Sequence, residues 1–230
     1  MQTNSFSTFL SQISSDFIPV ITASIPEESY FPLDLSSEND ALLSIDISSS
    51  LDMEAYIDKL LLKKNARVAY GGYLEKRAIY QRSTHFNQEN PETERNIHLG
   101  MDLWLEAGTD VLAVLDGEIH SFKDNTNFGD YGPTIILKHK RDSFEFYTLY
   151  GHLNRESLTK IYPGQKVKQG EVIAQLGAAT VNGDYAPHLH FQVIKEIENF
   201  MGDYPGVCSK KDFEYYSKNC PNPNLLLKIS

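Results

Sequence analysis

Cysteine is nearly absent. Only Cys208 and Cys220 occur in 230 residues, too few and too far apart for a cysteine-ligated zinc site or a disulfide scaffold. The two are read as free thiols. No stretch of about 18 apolar residues exists, so no membrane span is expected. Basic residues are also scarce: 21 Lys and Arg stand against 31 Asp and Glu, a formal net charge of -10. Such a chain repels phosphate backbones and anionic surfaces, and no nucleic-acid partner is expected. The densest basic group, Lys63, Lys64 and Arg67, reads as the solvated face of a helix. A His-Glu-x-x-His helix is missing, which argues against the thermolysin arrangement with its glutamate base. Met1 to Val20 has no basic start, no long apolar run and no small-residue cleavage site. Read as it stands, the chain is expected in the cytoplasm, with export by another route or a start further upstream left open.

What remains is an ordinary globular composition, 41% hydrophobic and 23% charged, which sets aside collagen-like and wholly disordered classes. The length suits one domain with an appended segment. Phe6, Phe9, Leu10 and Ile13 have helical spacing. The stretch 51–65 is the best helix candidate, with Leu51, Ala55, Leu60 and Leu61 as its apolar stripe and Lys59, Lys63 and Lys64 near its negative end. Gly71-Gly72 breaks the pattern, 73–80 reads as a short helix or strand, and 88–95 as a loop.

From residue 96 onward the chain turns to short β segments. Asp116-Gly117 reads as a hairpin turn between 111–115 and 118–122, and 140–143 as the turn between 134–139 and 145–150. Pro163-Gly164 and Gln169-Gly170 punctuate two more strands, and 188–194 is another. The expectation is a mainly β fold, an antiparallel sheet or barrel-like sandwich, with an α-containing N-terminal segment. The divisions expected are 1–65 as that segment, serving as a cap or pro-segment over a cleft, 66–200 as the β domain with its motif core at 96–194, and 201–230 as a C-terminal extension. A short helix is expected at 210–218.

Seven histidines are present, and two pairings have metal-ligand spacing. His98 and Asp102 stand four residues apart. His188 and His190 lie on one face of a strand, because side chains alternate; Leu189, Phe191 and Val193 take the opposite face. Spacing alone decides little in a chain with this many histidines, since a lone histidine is more often an ordinary hydrogen-bonded group.

Their company decides more. The chain reads His98-Leu-Gly-Met-Asp102-Leu-Trp, then Ala107-Gly-Thr-Asp-Val, Tyr150-Gly-His152-Leu, Gly164-Gln-Lys-Val and Pro187-His-Leu-His190-Phe. These blocks, in this order, resemble the lysostaphin/LytM-type zinc endopeptidases over about residues 96–194. The resemblance implies a fold of the duplicated hybrid motif type. It also implies that His98, Asp102 and His190 are metal ligands and that His152 and His188 are the catalytic histidines. The implied cofactor is Zn2+, and the implied substrate a peptide of the peptidoglycan kind. Two imidazoles and one carboxylate with an open fourth position are the pattern of catalytic zinc. Which of His152 and His188 acts as base is left open, as is the oligomeric state. His85, His120 and His139 match no motif position and are expected to be structural. Gly183-Asp-Tyr-Ala, where the family carries small residues, and Gln192, where it commonly carries an acid, are departures that bear on the cleft.

Two other classes compete. A zinc-binding scaffold that binds a partner and cleaves nothing would usually have lost a ligand or a catalytic histidine, and all five positions are intact here. A IIA-type phosphocarrier shares a similar His-x-Gly-x-Asp string but needs no Pro-His-Leu-His block. A biotinyl or lipoyl carrier is set aside, because no lysine sits in a tight hairpin beside methionine.

Overall fold

A computed structural model describes residues 5–84, 86 and 90–230. The N-terminal helix α1 (Phe6–Ile13) starts where Ser5 caps it, accepting the Thr8 amide at 3.2 Å. Helix α2 (Ser50–Lys64) is capped by Ser49 and ends at Asn65, which takes the left-handed conformation at φ 52. Its buried residues are Met53 and Ile57, with Leu60 and Leu61 partly buried beside them. Of the stripe expected from the sequence, Leu60 and Leu61 pack inward, whereas Leu51 is 74% exposed and Ala55 is exposed too.

In chain order the strands are β1 (Tyr30–Pro32), β2 (Val68–Gly71), β3 (Arg95–His98), β4 (Met101–Trp104), β5 (Asp110–Leu112), β6 (Gly117–Asn125), β7 (Gly132–Arg141), β8 (Phe144–Gly151), β9 (Lys166–Val167), β10 (Val172–Gln175), β11 (His188–Ile194) and β12 (Val207–Ser209). Eight form one sheet in the order β1-β2-β4-β11-β8-β7-β6-β9, flanked by the pairs β5/β10 and β3/β12. The fold is mainly β. The large sheet is open, with β1 and β9 at its ends, and is antiparallel except for the parallel β1/β2 contact.

The hairpin expected at 140–143 is present as β7/β8. The one expected at Asp116-Gly117 is not: β5 pairs with β10, while β6 pairs with β7 and β9. Nor is 73–80 a regular helix or strand; Lys76 makes one isolated bridge to Ile97 before a short 3-10 turn at Ile79–Arg82. Among the described residues of 88–95, 90–94 are irregular as expected. At the C-terminal end α3 (Phe213–Asn219) is present, and a further short helix, α4 (Asn224–Leu227), follows the prolines.

The alternation of β11 separates core from chemistry. Leu189, Phe191 and Val193 are fully buried in the main cluster with Ile135, Leu137 and Tyr150. Each such side chain contributes about 1.5–3 kcal/mol by leaving water. Phe6, Phe9 and Leu10 of α1 and Leu226 and Leu227 of α4 close the same cluster. The opposite face of β11 carries His188, His190 and Gln192.

Candidate metal centre

Strand register assembles the site. His190 of β11 stands opposite Asp102 of β4 on one side and Gly151 of β8 on the other. His98 ends β3, one tight connection before β4. His152 follows β8 in the left-handed region at φ 63, a conformation that costs a non-glycine residue energy and recurs at functional sites. His188 opens β11. The chain thus brings all five candidate side chains to one place, and each is at most 5% exposed.

Three of them converge on a point. His98 Nε2 lies 2.8 Å from His190 Nδ1 and 3.3 Å from Asp102 Oδ1; His190 Nδ1 lies 3.1 Å from the same oxygen. Ligands set tetrahedrally around one zinc stand about 3.4 Å apart, so these separations lie at or slightly inside that spacing. The outward nitrogens fix the tautomers. His98 Nδ1 is 2.8 Å from the Gly72 carbonyl, so it must donate. His190 Nε2 is 2.9 Å from Gln192 Oε1. That amide is itself oriented, because its Nε2 donates to the Pro205 carbonyl at 3.1 Å. His190 therefore also carries its proton on the outward side. The inward atoms are two lone pairs and a carboxylate oxygen, with no hydrogen between them. Such a set is mutually repulsive by itself and suits a cation; its chemistry fits zinc.

The remaining two histidines are oriented alike. His188 Nδ1 faces the Ala186 carbonyl at 2.8 Å and His152 Nδ1 the Asn182 carbonyl at 2.7 Å. Both must donate there, which turns an unprotonated Nε2 away from the backbone. Their ring centroids are 4.2 Å apart, and His188 Nε2 is 3.8 Å from Asp102 Oδ1.

Electrostatics hold these groups in the forms a metal needs. Burial pushes the pKa of His98 down to about 4, against the opposing pull of Asp102. Burial and the neighbouring His188 hold His152 well below the usual range. Burial lowers His188 as well. Burial alone would raise the Asp102 carboxyl, but His98, Arg77 and His188 hold it well below the ordinary value. The result is neutral His98, His152 and His188 around an ionised Asp102 carboxylate.

The cleft over these groups encloses about 220 Å³ and is walled by Trp104, Tyr131, Tyr185 and Arg95, with Leu35 and Met53 from the N-terminal segment. Asp184 and Tyr185, from the departing Gly183-Asp-Tyr-Ala string, do line it. Arg82 ties them down, donating to the Asp184 carbonyl at 2.7 Å and covering the Tyr185 ring at 4.4 Å. Tyr131 reaches the centre, its hydroxyl 3.4 Å from His190 Nε2.

Among the others, His139 is buried between the Asp116 carbonyl and Thr148, and His120 is half-buried beside Ser121. His85 lies outside the described residues. Cys208 and Cys220 are free and buried. Sequence reasoning missed Arg77, whose Nη1 lies 2.5 Å from Asp102 Oδ2. No motif or periodicity singles it out.

Residues 96–201 match the model of peptidase family M23. Among curated proteins, one from Buchnera aphidicola subsp. Baizongia pistaciae (strain Bp), described as an uncharacterized metalloprotease, is 35% identical over 119 residues, half of this chain. The matched part spans 28% of that relative's length. Among solved structures, the catalytic domain of the antimicrobial peptidase lysostaphin from Staphylococcus simulans is 24% identical. That match covers 53% of this chain and 80% of that one at a TM-score of 0.37. A zinc containing peptidase from Vibrio cholerae is 29% identical, covering 47% of this chain and 30% of that one at a TM-score of 0.36.

Proposed function

We propose that this chain, whose residues 96–201 match the model of peptidase family M23, is a zinc-dependent metalloendopeptidase of the lysostaphin/LytM type. In this reading His98 Nε2, Asp102 Oδ1 and His190 Nδ1 hold the ion. The observation that carries it is the convergence of these three atoms within 3.3 Å of one another, with an oxygen acceptor facing the outer ring nitrogen of each imidazole. When bound, zinc supplies Lewis acidity, polarising the scissile carbonyl and acidifying water near neutral pH.

His152 and His188 move the protons. Each presents an Nε2 lone pair in the resting state, so either can accept a proton from the attacking water. The one that accepts becomes an N–H donor and returns the proton to the leaving amine. Their low proton affinity favours that return. The backbone carbonyls of Asn182 and Ala186 keep both rings aimed while this happens. Tyr185 and Trp104, packed against these two rings, exclude bulk water and hold a peptide against them.

Cell-wall peptides are the proposed substrate class, on the strength of the family alone. Metal analysis of the purified protein, followed by digestion of a peptide library and of isolated sacculi, tests the whole reading. Stoichiometric zinc with cleavage of either material is the expected result. Zinc without any hydrolysis would favour a binding scaffold, and a protein that takes up no zinc would overturn the proposal.

A further inference from the structure

Asp102 has two oxygens, and only one faces His98 and His190. The other, Oδ2, is held by Arg77 Nη1 at 2.5 Å. Arg77 is 5% exposed. Its Nε reaches Glu75 Oε2 at 2.5 Å, and Glu75 Oε1 accepts the Leu35 amide at 2.9 Å. The guanidinium therefore spans two carboxylates, Asp102 buried and Glu75 partly buried. It also packs on Gly72, whose carbonyl orients His98: a Cβ at residue 72 would lie 2.0 Å from Arg77 Nη2. One side chain thus touches one proposed ligand directly and the support of a second.

We propose that Arg77 is a positioning residue for the metal centre, clamping Asp102 by Oδ2 so that Oδ1 alone is offered to the ion. The inference rests on the zinc reading above. A carboxylate free at both oxygens can bind an ion through both and use up the position that substrate or water needs. A guanidinium on the far oxygen removes that option, because its planar fork fixes direction as well as charge. The charge count agrees. Arg77 against Glu75 and Asp102 leaves one net negative charge, enough to attract a dication and too little to neutralise it. Lysine could supply the charge but not the span, since one ammonium is a point donor without the fork's fixed geometry.

The test compares wild type, Arg77→Met and Arg77→Lys without using activity. Zinc affinity is read by chelator competition, and the ligand-field absorption of the cobalt(II)-loaded protein reports coordination number. Arg77→Met is expected to bind zinc about 10- to 100-fold more weakly, the usual cost of losing a ligand's support. Its cobalt band should lose intensity as Asp102 swings to bind through both oxygens. Arg77→Lys should resemble Arg77→Met more than wild type, and it decides the matter alone if Arg77→Met does not fold. Variants with zinc affinity within about twofold of wild type and an unchanged cobalt spectrum would overturn the clamp while leaving the zinc reading intact. A wild-type protein that binds neither metal would overturn both.

Discussion

Gly100 sits between the two N-terminal ligands, and its missing side chain is what lets β4 and β11 close on the centre. A Cβ built there would lie 2.5 Å from His190 Cε1, 2.6 Å from His190 Nε2 and 2.9 Å from the Phe191 carbonyl oxygen. Ordinary van der Waals contact begins at 3.4 Å, so Gly100→Ala asks the ring to retreat by about 0.9 Å, a small-to-large change of the kind that strains a packed interior. Retreat is blocked. Fully buried Gln192 anchors the ring through Nε2, Tyr131 packs beside it at 5.1 Å between centroids, and the Phe191 carbonyl is fixed in the middle of the sheet. The clash should therefore appear partly as strain, about 1–3 kcal/mol of lost stability. The rest should appear as a displaced His190 Nδ1, and misplacement by about 1 Å costs roughly 100-fold in turnover. Zinc affinity by chelator competition, thermal unfolding with and without zinc, and peptide turnover are the assays. The discriminating result is a loss of zinc affinity out of proportion to the loss of stability in the metal-free protein. A Gly100→Ala protein with wild-type affinity and turnover would refute the claim that this glycine makes room for a ligand.

Three further outcomes are expected. His152→Ala and His188→Ala should each keep stoichiometric zinc while the variant lacking the base loses turnover by about 100-fold or more; loss of metal in either would contradict a proton-transfer role. Gln192→Leu removes the acceptor for His190 Nε2 and the donor to Pro205, leaving buried groups unpaired at about 1–3 kcal/mol each, and denaturant unfolding with zinc titration should register both this and weaker binding. Burial holds the His139 imidazole down to about 4 from 6.5, so the unfolded chain takes up a proton that the folded chain refuses. Stability is then full above 6.5 and falls with falling pH until about 4; between neutrality and pH 5 the loss is about 2 kcal/mol, and denaturant melts of His139→Gln should lack it.

The parts of the fold readable from the sequence were those written in short range. Helix α2 carries its own caps, the β7/β8 hairpin its own turn, and β11 its own alternation, so each could be recognised from a dozen residues. The errors share a cause. Asp116-Gly117 looks like a two-residue hairpin, yet β5 pairs with β10 far along the chain, and β6 pairs with the next strand, β7, and with β9. The polar pair there only changes direction, and the Asp116 carboxylate accepts the Gln169 amide at 2.9 Å. Leu51 sits in the first turn of α2, before the helix reaches the surface that Met53, Ile57, Leu60 and Leu61 cover with Trp104 and Leu33. Periodicity locates an apolar face only where a neighbour exists to cover it.

The site divides along the same line. His98 with Asp102, and His188 with His190, were recognisable because each pair is local; the joining of the pairs depends on the register of β11 against β4, which no spacing records. Arg77 is the extreme case. It stands in an irregular stretch between Gly72 and the 3-10 turn, and its importance comes wholly from what it meets, a carboxylate 25 residues later. That dependence also bears on how the N-terminal residues should be regarded. The Gly72 carbonyl orients His98, Arg77 holds Asp102, and β2 pairs with β4 beside the ligand it carries. Deleting the first 95 residues would strip these supports together with any covering element, so lost activity in such a protein would not speak for or against inhibition. Only changes confined to the cleft-facing side chains Leu35 and Met53 separate a wall that shapes the substrate from a scaffold that holds the metal.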